Sequence, residues 1–182
     1  MTIAGYRSQN HPQQTRRRGA DDDTDDRGTT AELFDPLHAV HAFTLDVAAA
    51  PHNAKVPRYF TRDDNGLAQS WAGEHVWCNP PYSDVASWVR KAWREAPGCP
   101  VIVMLLPANR CEQRWWQDLV EPYRDRPGSA LRTRFLAGRR RFHRPGAVIG
   151  PKGDRPPFGN VLLTWESCAP TIAPDLLDEV SR

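Results

Sequence analysis

The chain has 182 residues, of which 40% are hydrophobic and 25% are charged, and its formal net charge at pH 7 is +2. This length fits one domain with a substantial core, and the composition is that of an ordinary soluble protein. The sequence has no apolar run of about eighteen residues and no signal-peptide pattern, so it predicts neither a membrane span nor export. We therefore expect a cytoplasmic protein.

The four cysteines of the chain form no CxxC pair and have no histidine partner at zinc-ligand spacing. They are Cys78, Cys99, Cys111 and Cys168. This arrangement argues against both a disulfide framework and a structural metal, so we expect no metal site. Cys78 lies in an apolar run and is interpreted as a small buried hydrophobic residue.

Three regions of the chain differ in composition. Residues 1–28 contain runs of arginine and of aspartate without apolar periodicity, which predicts a disordered leader. Residues 29–165 have the apolar periods of a folded domain. Residues 166–182 are predicted to form a C-terminal tail with at most one short helix.

Strands alternate with helices in the predicted domain. The predicted strands are 43–48, 75–78, 101–106, 131–136 and 160–165, and the predicted helices are 83–96, capped by Ser83 or Asp84, and 111–120. The last two strands are expected to be antiparallel to each other. This alternation predicts an α/β sheet with a ligand crevice at the carboxyl ends of its strands, where Asp46 and Asn79 fall.

Trp115 and Trp116 are adjacent in the second predicted helix. Neighbouring residues of a helix do not face the same side, so both side chains are not expected to point inward. We expect one of the pair to be exposed and available to pack against a partner.

The segment Asn79-Pro80-Pro81-Tyr82 directly follows the predicted strand 75–78. An amino group on an aromatic base is a poor nucleophile because its lone pair is delocalised into the ring. Two acceptors, the side-chain oxygen of Asn79 and the main-chain oxygen of Pro80, would direct that nitrogen toward tetrahedral geometry. Pro80 and Pro81 fix φ and make the turn rigid, and Tyr82 offers a face on which a flipped-out base can stack. The alternative is an Asn-Pro turn that only opens a loop.

The residues around this tetrad resemble a known family. Residues 43–83 read FTLDVAAAPHNAKVPRYFTRDDNGLAQSWAGEHVWCNPPYS, and later segments read VIVMLLPA (101–108), RFLAGRRRF (134–142) and PPFGNVLLTW (156–165). These segments are similar to the phage-type DNA N6-adenine methyltransferases, small Dam-like enzymes, over roughly residues 29–165. The resemblance implies a Rossmann-like S-adenosylmethionine-dependent methyltransferase fold in one compact domain. It also implies methyl transfer from S-adenosylmethionine to the N6 amino group of a flipped adenine in DNA.

The resemblance also implies a cofactor site, although residues 46–50 replace the Gly-rich loop of most methyltransferases. The family carries a similar LDVAA segment here, which makes Asp46 and Ala48 candidate cofactor contacts. Phe34, in a segment that resembles the family's TPxxLF, and Asp64, in one that resembles DGL, are two more. The alternatives are that Asp46 caps the next segment, that Phe34 belongs to the core, and that Asn65-Gly66 forms a turn.

Residues 124–155 are rich in arginine and contain only two acidic residues, Asp125 and Asp154. Basic charge concentrated in one segment of a nearly neutral protein is typical of a surface that binds DNA phosphates. We predict that Arg139, Arg140 and Arg141 contact DNA. The alternative is a solvated basic loop.

Other functions share parts of this pattern. The tetrad also occurs in methyltransferases that act on the N4 of cytosine in DNA and in others that act on a protein glutamine amide. The basic segment favours nucleic acid over a protein substrate, whereas cytosine stays open. Because the Gly-rich loop is missing, a nucleic-acid-binding relic without cofactor affinity is a further alternative.

Overall fold

A five-stranded mixed sheet forms the centre of the computed structural model, which describes residues 28–143, 156 and 158–167. The strands are β1 (Gly28–Thr29), β2 (Leu45–Asp46), β3 (His75–Cys78), β4 (Val101–Pro107), β5 (Leu131–Phe135), β6 (Phe142–His143) and β7 (Asn160–Glu166). The helices are α1 (Ala31–His41), α2 (Val85–Glu95) and α3 (Arg114–Leu119). The predicted leader, apart from Gly28, and the tail beyond residue 167 lie outside the described residues.

The order of the central sheet is β2-β3-β4-β7-β5. Strands β2, β3 and β4 are parallel, whereas β7 runs antiparallel to both β4 and β5, as predicted for the last two strands. Strands β1 and β6 pair with each other in a separate antiparallel ribbon. The described chain is therefore a mixed α/β domain, in agreement with the predicted fold class at that level.

Strand β4 is buried along its whole length because helices cover both faces of the sheet. Its side chains alternate between two apolar clusters, as the period of two requires. Ile102, Met104 and Leu106 belong to the cluster that includes α2 and α3. Val101, Val103 and Leu105 belong to the cluster that includes α1. The continuous apolar run is thus the middle layer of three, as expected of a strand buried on both faces.

Helix α2 forms where the sequence predicts it. Its buried residues recur at helical spacing and give it one apolar face: Val85, Trp88, Val89, Ala92 and Trp93. Asp84 is the N-cap, and its carboxylate accepts a hydrogen bond from the Ser87 main-chain nitrogen at 3.4 Å. The helix ends just before Pro97, which lies in a short 3-10 turn.

Helix α1 was not predicted from the sequence. Pro36 lies inside it and removes one main-chain donor, so the sequence argues against a continuous helix here. Leu33, Phe34 and Leu37 are buried against the sheet, and this packing holds the helix together despite the missing bond. Ala42, in the left-handed region at φ 49°, ends the helix.

The prediction that one of Trp115 and Trp116 is exposed is wrong, because both are buried. Their rings pack edge to face with centroids 5.7 Å apart, and Trp116 also contacts Phe135 of β5. Both indole nitrogens donate hydrogen bonds, to Gln113 and to Glu121. Helix α3 has only six residues. Residues on more than one side of this short helix therefore enclose the two tryptophan rings.

Cys78 is fully buried in β3, as predicted, and burial raises the pKa of its thiol well above the usual range. The described part of the chain contains no group of three or more His, Cys, Asp or Glu that could hold a metal ion. None of its helices is long and apolar enough to cross a membrane.

Gly66 lies where the chain passes too close to β2 for any side chain. Asn65 adopts φ 52°, in agreement with the alternative interpretation that Asn65-Gly66 forms a turn. A Cβ atom on Gly66 would lie 2.2 Å from the Val47 carbonyl oxygen. The Gly66 carbonyl also accepts the indole N–H of buried Trp71 at 2.9 Å. This close approach explains a glycine here by packing alone.

We expect Gly66→Ala to lower the free energy of unfolding by about 1–3 kcal/mol, the usual cost of overpacking. Urea denaturation measures the change. Gly98→Ala is the matched control, because its Cβ would make an ordinary 3.5 Å contact with the Ala72 side chain. Equal unfolding midpoints for the two variants would show that the Val47 contact does not limit this position.

Candidate functional site

The two strand-end residues predicted to meet do lie at neighbouring strand ends. Asp46 is the last residue of β2, and Asn79 directly follows β3, which pairs with β2 through Asp46 and Trp77. Both residues line one small cleft that is open to solvent. The described residues lining it are Gly28, Thr29, Asp46, Ala48, Asn53, Lys55, Trp77 and Asn79. Of the predicted cofactor contacts, Asp46 and Ala48 therefore share a cleft with Asn79, the first residue of the tetrad.

Asp46 is 2% exposed and organises the loop that follows it. Its two carboxylate oxygens accept hydrogen bonds from the main-chain nitrogens of Lys55, at 3.0 Å, and Ala48, at 3.4 Å. Burial raises the pKa of Asp46 to about 6, although these two hydrogen bonds oppose the shift. Asp46 thus caps the next segment, as the alternative interpretation held, and also faces the cleft.

Three polar residues of the cleft were missed from the sequence: Thr29, Asn53 and Lys55. The hydroxyl of Thr29 is buried and has no hydrogen-bond partner among the described residues. Lys55 is half-buried, and burial lowers the pKa of its ammonium group while Asp46 and Asp35 oppose that change. Buried polar groups are normally paired, so the Thr29 hydroxyl marks the cleft as a place for a polar ligand.

The tetrad forms a fixed turn at the edge of this cleft. Pro80 is buried, and the side chain of Arg110 donates a hydrogen bond to the main-chain oxygen of Tyr82 at 2.5 Å. The Tyr82 hydroxyl donates to Oδ1 of Asn79 at 3.4 Å. Arg110 follows β4 and was not predicted as part of the site, since nothing near it in the sequence marks the contact.

Tyr82 is only 8% exposed. Its ring belongs to the apolar cluster beneath the sheet, and Phe158 packs against it with centroids 6.1 Å apart. A base could stack on Tyr82 only after the ring or Phe158 moved. Stacking on Tyr82 stays a prediction, and the described arrangement adds this condition to it.

Asn160 was also missed from the sequence. It is 1% exposed, begins β7, and pairs with Pro107 at the same sheet edge as the tetrad. Its Nδ2 lies 3.4 Å from the Tyr82 hydroxyl and 3.5 Å from the Leu106 carbonyl oxygen. Its Oδ1 is buried with no hydrogen-bond partner among the described residues. Such an unpaired oxygen costs about 1–3 kcal/mol, so stability alone does not favour asparagine here.

More than half of the chain matches the profile of a known family. The profile of the family described as DNA N-6-adenine-methyltransferase (Dam) matches residues 17–125. This range includes the described residues that line the cleft and the tetrad. The chain belongs to the Dam family. The match starts inside the segment predicted to be a leader, and it ends before the arginine run at residues 139–141 and before Asn160.

Two curated relatives of this Dam-family chain carry the name DNA N-6-adenine-methyltransferase. The protein of Haemophilus phage HP1 (strain HP1c1) is 42% identical over 50 residues, which are 28% of this chain and 29% of the relative. The protein of Escherichia phage T1 is 37% identical over 68 residues, which are 37% of this chain and 29% of the relative. Each aligned segment therefore spans less than a third of the relative's length.

Phe34 and Asp64, the other two predicted cofactor contacts, do not line the described cleft. Phe34 is buried edge-on against Trp77 at 5.4 Å, so it lies behind the cleft wall. Asp64 is exposed and accepts hydrogen bonds from the hydroxyl and main-chain nitrogen of Thr61, which lower its pKa. Their roles toward a cofactor stay predictions that the described contacts do not support.

The arginine run leads into the ribbon that borders the cleft. Arg139 is exposed, whereas Arg140 and Arg141 are half-buried, and β6 follows directly. Strand β6 pairs with β1, whose two residues line the cleft. Arg144, Lys152 and Arg155, the basic residues that follow β6 in the segment, lie outside the described residues. The described part of the run thus connects directly to a cleft wall.

Proposed function

We propose that this protein transfers a methyl group from S-adenosylmethionine to the N6 amino group of adenine in DNA, with the base flipped into a site at residues 79–82. The observation that carries the proposal is that Asp46 at the end of β2 and Asn79, the first residue of the tetrad after β3, face one cleft. Membership of the Dam family and the names of both phage relatives support adenine over cytosine.

The finer fold assignment, a Rossmann-like S-adenosylmethionine-dependent methyltransferase fold, belongs to the same proposal. Three parallel strands with helices on both faces support it. So does the position of the candidate site at the carboxyl ends of two of those strands, where open α/β sheets bind ligands.

The residues of the cleft fit S-adenosylmethionine. When bound, this cofactor supplies an electrophilic methyl group on a positively charged sulfur. It also carries an amino group, a carboxylate, hydroxyls and an aromatic base. Asp46 provides acceptors, Lys55 a cation, Thr29 a buried hydroxyl with no partner among the described residues, and Trp77 an aromatic wall. The described cleft is small and open to solvent, so a ligand of this size would extend well past its walls.

At the tetrad, Asn79 Oδ1 and the Pro80 carbonyl oxygen would accept the two hydrogens of the substrate amino group. This pulls the nitrogen out of conjugation and leaves its lone pair available for the methyl group. The rigid turn, with Pro80 buried and Arg110 bound to the Tyr82 carbonyl, holds both acceptors in place before substrate arrives. The two acceptors therefore need no change in the main chain of the turn to meet the substrate amino group.

Incubation of the protein with DNA and S-adenosylmethionine carrying a radiolabelled methyl group tests the proposal. We expect label to enter the DNA, and calorimetry to show binding of S-adenosylmethionine without DNA. A protein that binds DNA but not S-adenosylmethionine would be the nucleic-acid-binding relic, and the proposal would fail.

DNA binding by residues 139–141 is a separate prediction. If these arginines neutralise phosphates, replacing all three with glutamine should weaken binding to every DNA sequence alike. The slope of log affinity against log salt should then fall by about 0.9 for each phosphate that is no longer neutralised. Cofactor affinity should not change. Binding titrations at several salt concentrations measure the slope.

The matched control replaces three arginines from other surfaces, Arg62, Arg94 and Arg114, all of which are exposed. We expect this variant to retain the wild-type salt slope. An unchanged slope in the first variant, with folding intact, would remove residues 139–141 from the DNA interface and leave them as a solvated loop.

A further inference from the structure

Three side chains form a row of polar contacts at the sheet edge. Nδ2 of Asn160 lies 3.4 Å from the Tyr82 hydroxyl, and that hydroxyl lies 3.4 Å from Oδ1 of Asn79. The row links the start of β7 to the first residue of the tetrad. The contact between Asn160 and Tyr82 is buried and shielded from water, whereas the contact between Tyr82 and Asn79 is partly buried.

The Asn160 end of the row determines which group donates and which accepts in each hydrogen bond. Nδ2 of Asn160 also lies 3.5 Å from the Leu106 carbonyl oxygen, which can only accept. The amide of Asn160 must therefore present its NH₂ group on this side and its oxygen away from it. The Tyr82 hydroxyl accepts from this NH₂ group and keeps its own hydrogen for Asn79.

We propose that Asn160 is a positioning residue that acts through the Tyr82 hydroxyl to hold the side-chain oxygen of Asn79 in its working orientation. The inference rests on the proposed function, in which that oxygen accepts a hydrogen from the substrate amino group. An amide can turn over and present NH₂ where an acceptor is needed, and a donor beside it prevents this. An amide oxygen accepts two hydrogen bonds, so the bond from Tyr82 leaves Asn79 able to accept from the substrate.

The two distances of 3.4 Å exceed the usual donor–acceptor distances, about 2.7–3.2 Å for N–H···O and about 2.5–3.0 Å for O–H···O, so each bond is weak in this state. Hydrogen bonds of catalytic sites are often long before substrate binds and tighten in the complex. The proposal thus assigns Tyr82 a role for its hydroxyl that stacking does not need.

Methyl-transfer kinetics of Asn160→Leu, Tyr82→Phe and the double variant test the row. We expect each single variant to lower kcat about tenfold, with little change in KM for DNA or in affinity for S-adenosylmethionine. The double variant should be no slower than the slower single variant, because both remove the same effect. Asn109→Ala, which removes an exposed amide after β4, is the control and should keep the wild-type kcat. Losses that multiply in the double variant would overturn the proposal.

A second readout does not depend on catalysis. In protein labelled with ¹⁵N-asparagine, the side-chain amide signals of Asn79 should shift in the same direction in Asn160→Leu and in Tyr82→Phe, while those of Asn109 stay in place. If the wild type transfers no methyl group, the proposed function fails and these spectra still decide the inference. If Asn160→Leu does not fold, Tyr82→Phe carries the test. Unmoved Asn79 signals in folded Tyr82→Phe contradict the row.

Discussion

Asn79→Ala is expected to fold, to bind S-adenosylmethionine, and to transfer methyl groups at least about a hundredfold more slowly than the wild type. The loss of one preorganised polar group in an active site has an effect of this size, about 2.7 kcal/mol in the barrier. The Pro80 carbonyl stays in place, so some activity should persist. Single-turnover rates with saturating DNA and cofactor measure the chemical step.

Two further variants make this test specific. Asn79→Asp keeps an acceptor oxygen and should retain more activity than Asn79→Ala. Asn109→Ala removes an exposed amide outside the tetrad and should behave as the wild type. Near-normal turnover by Asn79→Ala would contradict the role assigned to the Asn79 oxygen.

Asp46→Asn should remove part of the pH dependence of the stability of the folded protein. Burial raises the pKa of Asp46 from 3.8 to about 6, so between these values the folded state binds more protons than the unfolded state. Stability therefore falls as pH rises through this window, by up to about 3 kcal/mol from this group, and stays low above it. An uncharged amide has no such cost. It still accepts a main-chain hydrogen bond in the loop.

Denaturant unfolding of the wild type and of Asp46→Asn at pH 4 and pH 7 measures this effect. The change in the free energy of unfolding between the two pH values is compared between the two proteins. Asp63→Asn, at an exposed position in the next loop, is the control and should follow the wild type. The same Asp46 variant should bind S-adenosylmethionine more weakly if the carboxylate faces the cofactor. A parallel pH dependence in the wild type and in Asp46→Asn would show that this carboxylate titrates as in an unfolded chain.

The parts of the fold that could be predicted are those whose signal is local. Strands β3, β4 and β7 are compact apolar runs, and α2 has both a period of 3.6 and an N-cap. Helix α1 was missed because its stability comes from packing against the sheet, which outweighs Pro36. The prediction that one of two adjacent tryptophans is exposed failed because the six-residue helix α3 has neighbours on more than one side.

The same distinction applies to the site. Asp46 and Asn79 could be placed together because neighbouring parallel strands end at the same sheet edge. Thr29 reaches the cleft through a ribbon formed with β6, and Asn160 meets Tyr82 across 78 residues of chain. Such contacts depend on tertiary pairing, which no local pattern encodes. The buried unpaired oxygens of Thr29 and Asn160 are visible only once the chain is folded.

The most direct measurement of the central claim is the identity of the methylated nucleoside. DNA incubated with the protein and S-adenosylmethionine is digested to nucleosides, which are separated and identified by mass. The account predicts N6-methyladenine with the wild type and at least about a hundredfold less in the same time with Asn79→Ala. N4-methylcytosine as the product, or no methylated base from a protein that binds S-adenosylmethionine and DNA, would contradict it.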